Sequence, residues 1–600
     1  MRSARLLFPM TLLLVVLVAF WPAFRAHYTF DDVSIVQRNA AVHSLAHWRD
    51  ILRHDYWYPV DASGLYRPLT LLSFATQWSL LPDHTAWLHG LDLLLHVGVA
   101  WLIFALGRRI IPNVGAAFAA LWFALLPTHV EVVVGLVGRA DLLAALGALL
   151  ALLALDASLD PRRGRSLLWA AAAGSAAFLA LLSKESALPV AGLAALWIWC
   201  RPPQPAGANA VASPGWKRIL TSPAWWAIVG ATLAFGLIRV HLMGWRLPPP
   251  GTVSAPLAYV AWPVRVRTAT WVALQQAMAV IWPFHLAPDY SFNQIPLIRN
   301  WLSGRFWIAL VVLLASGFAV YRGRRRPGVL LGAAFALLAY LPVSNLLFAI
   351  GTTRANRLMY LPAVGVAWLL GAQVARFKVV SGRSGVAAGL VAVLLLLGAA
   401  YAITDIHESQ LWQDNAHLMR MAVERAPDSA NAHFSLGYEL SQENQPEGAL
   451  REYRRAVAIY PDFSHAWWGM AGVLFHEGRM AEAAQNNLRA FNLEPTEPIF
   501  LDLAEVQLAS GAASAVIPEA HRLPVPVSVP VAIAVARAYL ALQEYPRAAS
   551  VLSRVVTREP DNAAAHFYLA SAFHGQGNEA AAQQELARAL VLNPGLGRGA

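Results

Sequence analysis

Residues 6–32 read LLFPMTLLLVVLVAFWPAFRAHYTFDD, and this stretch decides how the rest of the chain is interpreted. Residues 6–24 form an apolar run long enough to span a bilayer, which takes about 20 residues. The run follows Arg2 and Arg5 and lacks a small-residue cleavage site, so it predicts a retained first membrane helix and not a removed signal peptide. Two adjacent carboxylates, Asp31 and Asp32, therefore lie just beyond the first predicted span, on the side away from the basic amino terminus.

The composition is that of an integral membrane protein. Hydrophobic residues make up 57% of the 600 residues and charged residues 14%, whereas soluble domains carry about a quarter charged residues. The net charge of +11 does not indicate nucleic-acid binding, because the basic residues recur in short clusters between apolar runs. The single cysteine, Cys200, excludes an internal disulfide framework.

Apolar runs follow one another as far as Tyr401 and predict about eleven membrane spans. If the amino terminus is cytoplasmic, the basic clusters between the runs all fall inside, provided that residues 257–303 do not cross the membrane. Arg265 and Arg267 support that condition, because unpaired charges are costly in lipid. Residues 257–303 are therefore predicted to form an external hairpin or interfacial helix pair. The predicted spans after the first are 86–107, 113–130, 138–156, 166–183, 186–200, 224–243, 305–321, 328–347, 357–375 and 385–403.

After the last span the composition becomes soluble, helical and alanine-rich, and an internal repeat begins. Pro461 and Pro495 lie 34 residues apart, which is the period of the tetratricopeptide repeat (TPR). Helix pairs of this kind stack through small residues into a concave solenoid. The fold class is thus predicted to be all-α: a polytopic membrane bundle over residues 1–403, then a soluble α-solenoid over residues 404–600. Repeat units are predicted near 404–429, 430–463, 464–497, 498–528 (degenerate, with the proline-rich stretch Pro524 to Pro530), 529–562 and 563–596.

The acidic pair has a structural and a chemical interpretation. Asp31 could cap a short interfacial helix while Asp32 is merely solvated. Alternatively, one carboxylate takes a proton from an attacking hydroxyl while Arg67, further along the same loop, holds a phosphate leaving group. The predicted topology brings further polar residues to the same outer face as this loop, which favours the chemical interpretation.

The motifs on this face, with the attached repeats, resemble the transmembrane-and-TPR O-mannosyltransferase family (TMTC-like), within the C-type glycosyltransferase superfamily. The resemblance covers nearly the whole chain, and the order of the motifs makes it specific. The motifs are Phe30-Asp31-Asp32, Tyr66-Arg67-Pro68-Leu69, His89 to His96, His129-Val130-Glu131, Val137 to Leu143, Ser183-Lys184-Glu185, Asp289 to Leu297 and Arg357 to Pro362.

The resemblance implies an enzyme that uses a polyprenyl-phosphate sugar, with mannose as the known eukaryotic case, and an acidic active-site motif in the first external loop. The chain departs from the family pattern at three positions. Asp92 stands where the family usually has Asn, Leu126 stands before Pro127 where it has His, and Asn356 stands where it has Glu. These departures leave the acidic pair intact and alter part of the expected polar network.

On this interpretation Asp31 or Asp32 is the catalytic base, and the other orients the acceptor or the sugar. Mutual repulsion of two adjacent carboxylates would raise the pKa of one of them. In-line attack would invert the anomeric centre of the sugar. The predicted residues for binding the donor phosphate or sugar are Arg67, Tyr66, Arg139, Asp141, Lys184, Glu185, Arg357 and Arg265.

Four further polar residues are predicted to form a network between helices. His89 and His96 lie seven residues apart on one helix face, which favours interhelical hydrogen bonds over metal ligation. His129 and Glu131 could form a metal pair, but without a third ligand a hydrogen-bonded pair explains them equally well. No cofactor is predicted; a divalent metal is possible without being required.

Three functions remain open from the sequence. The first is a sugar transferase on the outer face of a bacterial inner membrane, with periplasmic repeats, or of the endoplasmic reticulum, with lumenal repeats. Its partners would be the lipid-linked sugar, a protein or glycan acceptor bound by the repeats, and membrane lipid. The second is a polysaccharide ligase or polymerase, for which a large late loop is expected and not found. The third is a non-catalytic scaffold, which would leave the outer-face charges unexplained.

Overall fold

A computed structural model describes residues 2–59, 63–160, 164–201, 214–245, 251–380 and 384–598. Every regular element within these residues is a helix, which confirms the predicted all-α class. The chain divides into two compact units, Met1–Pro427 and Asp428–Ala600. Arg162 and Arg163, between the predicted spans 138–156 and 166–183, and Arg383, between 357–375 and 385–403, belong to the predicted basic clusters but lie outside the described residues.

The first unit is a multi-pass membrane domain. Within the described residues, seven of its helices are long and apolar enough to cross a bilayer. A bent helix pair and three shorter apolar helices lie at the positions of the remaining predicted spans. The seven are Thr85–Gly107, Leu136–Ser158, Ser166–Ser183, Pro223–Met243, Gly304–Gly323, Asn356–Arg376 and Val391–Leu411. The others are Asn113–Ala124 with Pro127–Val133, bent by 50°, and Leu7–Ala19, Glu185–Cys200 and Pro327–Val343.

Glycines set the close packing that positions several of these helices. A Cβ atom on Gly115 would lie 2.3 Å from the carbonyl oxygen of Gly371, and one on Gly371 would lie 2.3 Å from that of Gly115. Gly332 and Gly365 make a second close contact, at 2.7 Å and 2.4 Å by the same measure. Backbones approach this closely in membrane bundles only where the facing residues are small. The helix that begins at Asn356 is thereby fixed against two neighbours.

Residues 257–303 contain a helix, Trp262–Ile281, which is not among the seven long apolar helices. The chain after it returns along the helix, because the guanidinium of Arg267 donates to the carbonyl oxygens of Ile298 at 3.0 Å and Arg299 at 2.8 Å. The external position of this hairpin remains a prediction. The other short α-helices of the unit are Trp48–Arg53, Pro68–Leu80, Gly215–Leu220 and Asn415–Arg425.

The first unit continues past the boundary predicted at residue 404. The helix Ser384–Leu411 runs through that position, and Asn415–Arg425 follows it with an Asp414 cap on the backbone N–H of His417. Arg425 then pairs with Glu408 at 2.7 Å. These contacts hold the predicted leading repeat unit, residues 404–429, almost entirely inside the first compact unit.

Within the described residues, the second unit contains five helix pairs, as predicted for tetratricopeptide repeats. The third pair has a short second helix of 8 residues, followed by the proline-rich stretch. The pairs are Ala430–Gln442 with Pro446–Ile459, Ser464–His476 with Met480–Leu493, Glu497–Ala509 with Ala513–Ala520, Val529–Ala541 with Tyr545–Arg558, and Ala563–Gly575 with Glu579–Leu592.

One aromatic ring shows how neighbouring repeats stack. Tyr453 is buried between two glycines of successive repeats, Gly437 and Gly469. A Cβ atom on Gly437 would lie 2.8 Å from the ring, and one on Gly469 would lie 2.7 Å from it. Both distances are shorter than carbon atoms tolerate, so glycine is required at both positions for the tyrosine to fit.

We expect Gly469→Ala to destabilise the repeats by about 1–3 kcal/mol, because the added methyl group overpacks the Tyr453 ring. Gly472→Ala is the matched control, since it lies in the same helix with nothing within 4 Å of its Cβ position. There, alanine should stabilise the helix by up to about 1 kcal/mol. Hydrogen exchange of Ser464–His476 in the full chain measures both effects. Equal exchange rates in the two variants would contradict the packing argument.

Candidate functional site

The acidic pair lies in a constrained turn directly after the first apolar segment. Phe30 has a φ angle of +52°, a left-handed conformation that residues other than glycine rarely adopt. Its backbone N–H donates to the side-chain oxygen of Asn415 at 2.8 Å. Upstream, the backbone N–H of His27 donates to the carbonyl oxygen of Gln413 at 3.0 Å. Gln413 and Asn415, which follow the last apolar helix, thus hold the turn that carries the two aspartates.

Asp32 is a buried anchor. Its side chain is fully buried and accepts backbone N–H groups of Thr29 at 3.3 Å, Leu136 at 3.2 Å and Val137 at 2.8 Å. Burial raises the pKa of this carboxyl to about 7, although the three backbone donors favour its ionised form. Asp32 therefore fixes the loop to the turn that precedes the helix Arg139–Ser158.

Asp31 has a different environment, although it is the adjacent residue. Its side chain is half-buried, and among the described residues it has no hydrogen bond or ion pair. Burial raises the pKa of its carboxyl, and the nearby charge of Arg357 is the largest influence that lowers it. Glu131, Arg67 and Lys184 are the other charges that act on it. The sequence could not separate the roles of the two aspartates, whereas their surroundings differ clearly.

Three ion pairs surround the Asp31 carboxylate. Lys184 binds Asp141 at 2.5 Å, Arg67 binds Glu185 at 2.9 Å, and Arg357 binds Glu131. Tyr66 joins the second pair through its backbone N–H, which donates to Glu185 at 3.3 Å. The structure therefore gathers seven predicted residues around Asp31, from stretches far apart in the sequence: Tyr66, Arg67, Glu131, Asp141, Lys184, Glu185 and Arg357.

The three cations of these pairs differ in accessibility. The side chain of Arg357 is 30% exposed, against 14% for Arg67 and 12% for Lys184. A guanidinium has five N–H donors, so Arg357 retains donors beyond those directed at Glu131. The Arg67 guanidinium is packed over the ring of Tyr56, 5.0 Å from its centroid. Arg357 is therefore the cation of this cluster best placed to bind a further anion.

Arg139 was predicted to bind the donor phosphate or sugar, but its position in the structure does not allow this. Its side chain is fully buried, with Nε bound to Asp92 at 2.6 Å and Nη2 donating to the carbonyl oxygen of Leu88 at 2.9 Å. The guanidinium also lies 4.0 Å from the ring centroid of Phe74. These contacts occupy Arg139 between helices, so the structure gives it a packing role and no access to a phosphate.

Of the three predicted network histidines, His96 and His129 make hydrogen bonds in the interior, whereas the ring nitrogens of His89 are without a partner among the described residues. His96 Nδ1 lies 2.8 Å from the hydroxyl of Tyr360, and its Nε2 lies 3.1 Å from the carbonyl oxygen of Ala124. His129 Nδ1 lies 3.0 Å from the carbonyl oxygen of Phe123. His89 is fully buried near Arg139. In the part of the chain that the structure describes, no three His, Cys, Asp or Glu side chains form a metal-binding group.

Two arginines of the first unit have a buried guanidinium nitrogen that makes no hydrogen bond among the described residues. The Nε atom of Arg265, a predicted site residue, is buried without a hydrogen bond, and so is the Nε atom of Arg354. The Arg354 guanidinium lies 4.1 Å from the ring centroid of Tyr290. Sequence reasoning passed over Arg354, although it lies only three residues before Arg357 in a polar loop.

Comparisons with known proteins agree with the resemblance. The tetratricopeptide repeat family matches residues 434–491 and 534–596. The chain is 25% identical to human protein O-mannosyl-transferase TMTC3 over 80% of its own length and 54% of the relative. It is 26% identical to human TMTC4, over 73% of the chain and 64% of the relative, and 27% identical to human TMTC1, over 74% and 54%. The predicted resemblance to these transferases is confirmed.

The chain thus spans about half to two thirds of the length of these curated relatives. Among solved structures it is similar to YrrB, a TPR protein described as having an unusual peptide-binding site. That similarity is 19% in sequence, covers 30% of this chain and 94% of YrrB, and has a TM-score of 0.28.

Proposed function

We propose that this protein is a membrane glycosyltransferase that moves a sugar, mannose, from a polyprenyl-phosphate donor to a hydroxyl of a protein or glycan acceptor. One observation carries the proposal: Asp31 is a half-buried carboxylate without a bonding partner among the described residues, and the charges of Arg357, Arg67 and Lys184 act on it. A side chain merely capping a helix would have its oxygens bound to backbone N–H groups, as Asp32 has.

Asp31 is the general base in this proposal. Its carboxylate takes the proton of the acceptor hydroxyl while the hydroxyl oxygen bonds to the anomeric carbon of the sugar. The bond from that carbon to the phosphate oxygen breaks, and the electron pair leaves with the polyprenyl phosphate. Attack from the face opposite the leaving group inverts the anomeric centre. Asp32 positions Asp31 through its three backbone bonds and takes no proton.

Arg357 is the first candidate to hold the departing phosphate, because it is the most exposed cation beside Asp31. Positive charge directed at the leaving oxygen stabilises the charge that develops in the transition state. Arg354 and Arg265 are further candidates in this proposal, because the Nε atom of each makes no hydrogen bond within the described chain. In this proposal the ion pairs of Lys184 with Asp141 and of Arg67 with Glu185 hold the loops around Asp31 in place.

Mannose and a protein acceptor are supported by the relatives, which are named protein O-mannosyl-transferases. The repeats offer a surface for a protein acceptor, with a cleft of about 670 Å³ bordered by Asp502, Glu505 and Glu559. We place the reaction on the outer face of the membrane, periplasmic in a bacterium or lumenal in the endoplasmic reticulum. That placement follows from the distribution of basic residues between the apolar helices.

The proposal is tested by sugar transfer with the full-length protein in nanodiscs. Radiolabelled polyprenyl-phosphate mannose is supplied with a periplasmic protein extract, and a parallel reaction contains nucleotide-linked mannose. We expect label to move to protein or glycan from the lipid-linked donor only, and Asp31→Asn to abolish this. Transfer from neither donor by folded protein would contradict the proposal and favour a scaffold role for the repeats.

The pH dependence of transfer tests the base directly. Because burial raises the pKa of Asp31, we expect the acidic limb of the kcat profile above the usual aspartate range, with activity lost as the pH falls through it. Arg357 lowers this pKa, so Arg357→Gln should move the limb to higher pH and raise KM for the donor. Arg376→Gln removes the same charge at the far end of the same helix and is the control. If the acidic limb of the Arg357→Gln profile is not shifted, Asp31 is not the base whose titration the profile reports.

A further inference from the structure

A second charged cluster lies at the other end of the helices that carry the candidate site. Asp141 stands near the start of Leu136–Ser158 and Asp156 near its end, about 22 Å apart at the rise of an α-helix. Similarly, Glu185 begins the apolar helix Glu185–Cys200, and Arg201 follows its last residue. The two clusters therefore occupy opposite ends of one bundle.

Asp156 is the centre of this second cluster. Its side chain is 1% exposed and binds Arg201, which is itself 7% exposed. It also accepts a hydrogen bond from the indole N–H of Trp197 at 3.1 Å and lies 3.4 Å from the guanidinium of Arg109. Arg218 joins the cluster by donating to the carbonyl oxygen of Arg201 at 2.9 Å. Two guanidiniums thus contact one carboxylate, and a third binds the backbone beside them.

The positive charge of the cluster exceeds what its acids neutralise. Asp156 is the carboxylate that both Arg109 and Arg201 contact. Burial and the neighbouring charge of Arg201 lower the pKa of Arg218, as expected for adjacent cations. Arg108 and Lys217 are further cations, each adjacent in sequence to one of the three arginines at this end.

Exposed aromatic rings flank the cluster. Trp216 is 53% exposed, and the Lys217 ammonium lies 5.4 Å from its ring centroid. Trp199, 54% exposed, packs against Gly215, where a Cβ atom would lie 2.7 Å from the indole. Tryptophans exposed at the ends of apolar helices sit at the level of lipid headgroups. These guanidiniums therefore lie at the level where lipid headgroups can reach them.

We infer that Arg109, Arg201 and Arg218 form a binding site for the phosphate of an anionic phospholipid headgroup, at the end of the bundle opposite the candidate active site. Guanidinium groups bind phosphate oxygens in pairs of parallel hydrogen bonds, and this cluster offers several such groups in one place. Arg109, 33% exposed, and the half-buried Arg218 contact the headgroup, while Arg201 is held by Asp156. The inference is independent of the proposed transfer reaction.

Native mass spectrometry of the full-length protein tests the site. Phosphatidylglycerol is titrated against phosphatidylcholine with wild type, Arg109→Gln/Arg218→Gln and the control Arg376→Gln. We expect one phosphatidylglycerol to bind wild type and the control in preference to phosphatidylcholine, and its affinity to fall roughly 10- to 30-fold in the double variant. Unchanged affinity in the double variant would overturn the site.

Two further measurements keep the test decisive. If the double variant fails to fold, Arg109→Gln alone leaves the Arg201–Asp156 pair and the Arg218 hydrogen bond in place. Undiminished phosphatidylglycerol binding by that single variant would also overturn the inference. Inorganic phosphate is added as a competitor, because a free anion shares the headgroup chemistry. Displacement of the lipid by millimolar phosphate would mean that the cluster binds a free anion and not a lipid.

Discussion

Asp31→Asn abolishes sugar transfer and leaves the protein folded: this is the largest effect that we expect on activity. Asparagine keeps the size of the side chain but cannot accept the proton of the acceptor hydroxyl. Loss of a general base typically lowers kcat by about 10²- to 10⁴-fold. Stability should change little, because the Asp31 carboxylate makes no hydrogen bond among the described residues. Transfer kinetics and thermal unfolding of the same preparation measure the two effects.

Asp32→Asn is the matched comparison, one residue away and with the same chemical change. Its amide NH₂ must face one or more backbone N–H groups that now donate to Asp32, those of Thr29, Leu136 and Val137. An unsatisfied buried donor costs about 1–3 kcal/mol, so this variant should unfold at lower temperature. Its remaining activity should be reduced through the displaced turn. Full transfer by Asp31→Asn, together with folded but inactive Asp32→Asn, would assign the base to Asp32.

The largest effect on stability is expected from Asp92→Leu. This substitution leaves the fully buried guanidinium of Arg139 without the carboxylate that binds it at 2.6 Å. Removing one partner of a buried ion pair costs about 3–5 kcal/mol, because the remaining charge is uncompensated. We therefore expect a strongly reduced yield of folded protein and a lower unfolding temperature in detergent.

Asp92→Asn is the control for this prediction. The asparagine oxygen can still accept the Nε–H of Arg139, and Leu88 and Phe74 continue to contact the guanidinium. Stability should therefore lie between wild type and Asp92→Leu. The Arg139→Leu/Asp92→Leu double variant removes both charges and should recover part of the loss. If Asp92→Leu unfolds at the temperature of wild type, the pair carries no such stabilisation.

Much of the fold follows from the sequence because two strong periodic signals are present. Apolar runs of bilayer length correspond to the apolar helices of the first unit, and the spacing of Pro461 and Pro495 fits the helix pairs of the second. The end of the first unit was harder to predict. Composition becomes polar near Thr404, whereas the contacts that hold the chain to the first unit continue to Pro427. Composition indicates whether a helix lies in lipid or in water, but it does not indicate which other helices it contacts.

Many residues of the candidate site could be named from the sequence, but their separate roles could not. The motifs pointed to Asp31, Asp32 and Arg357 as residues of one site. The two adjacent aspartates differ only in the folded protein, where the backbone N–H of Leu136 donates to Asp32. Arg139 shows the opposite difficulty. Its partner Asp92 lies 47 residues away, so only the packed bundle reveals that the arginine is already neutralised. Pairings between distant helices carry no local signal in a sequence.

The hydrogen bonds that hold the turn before Asp31 limit where this protein can be cut. A shortened chain ending at residue 403 would keep every apolar helix except the last turns of Val391–Leu411. It would nevertheless lack Gln413 and Asn415, the acceptors for the backbone N–H groups of His27 and Phe30. A chain ending after Pro427 retains both. The smallest autonomous membrane unit therefore extends beyond its last transmembrane segment, and deletion of the repeats should begin at Asp428.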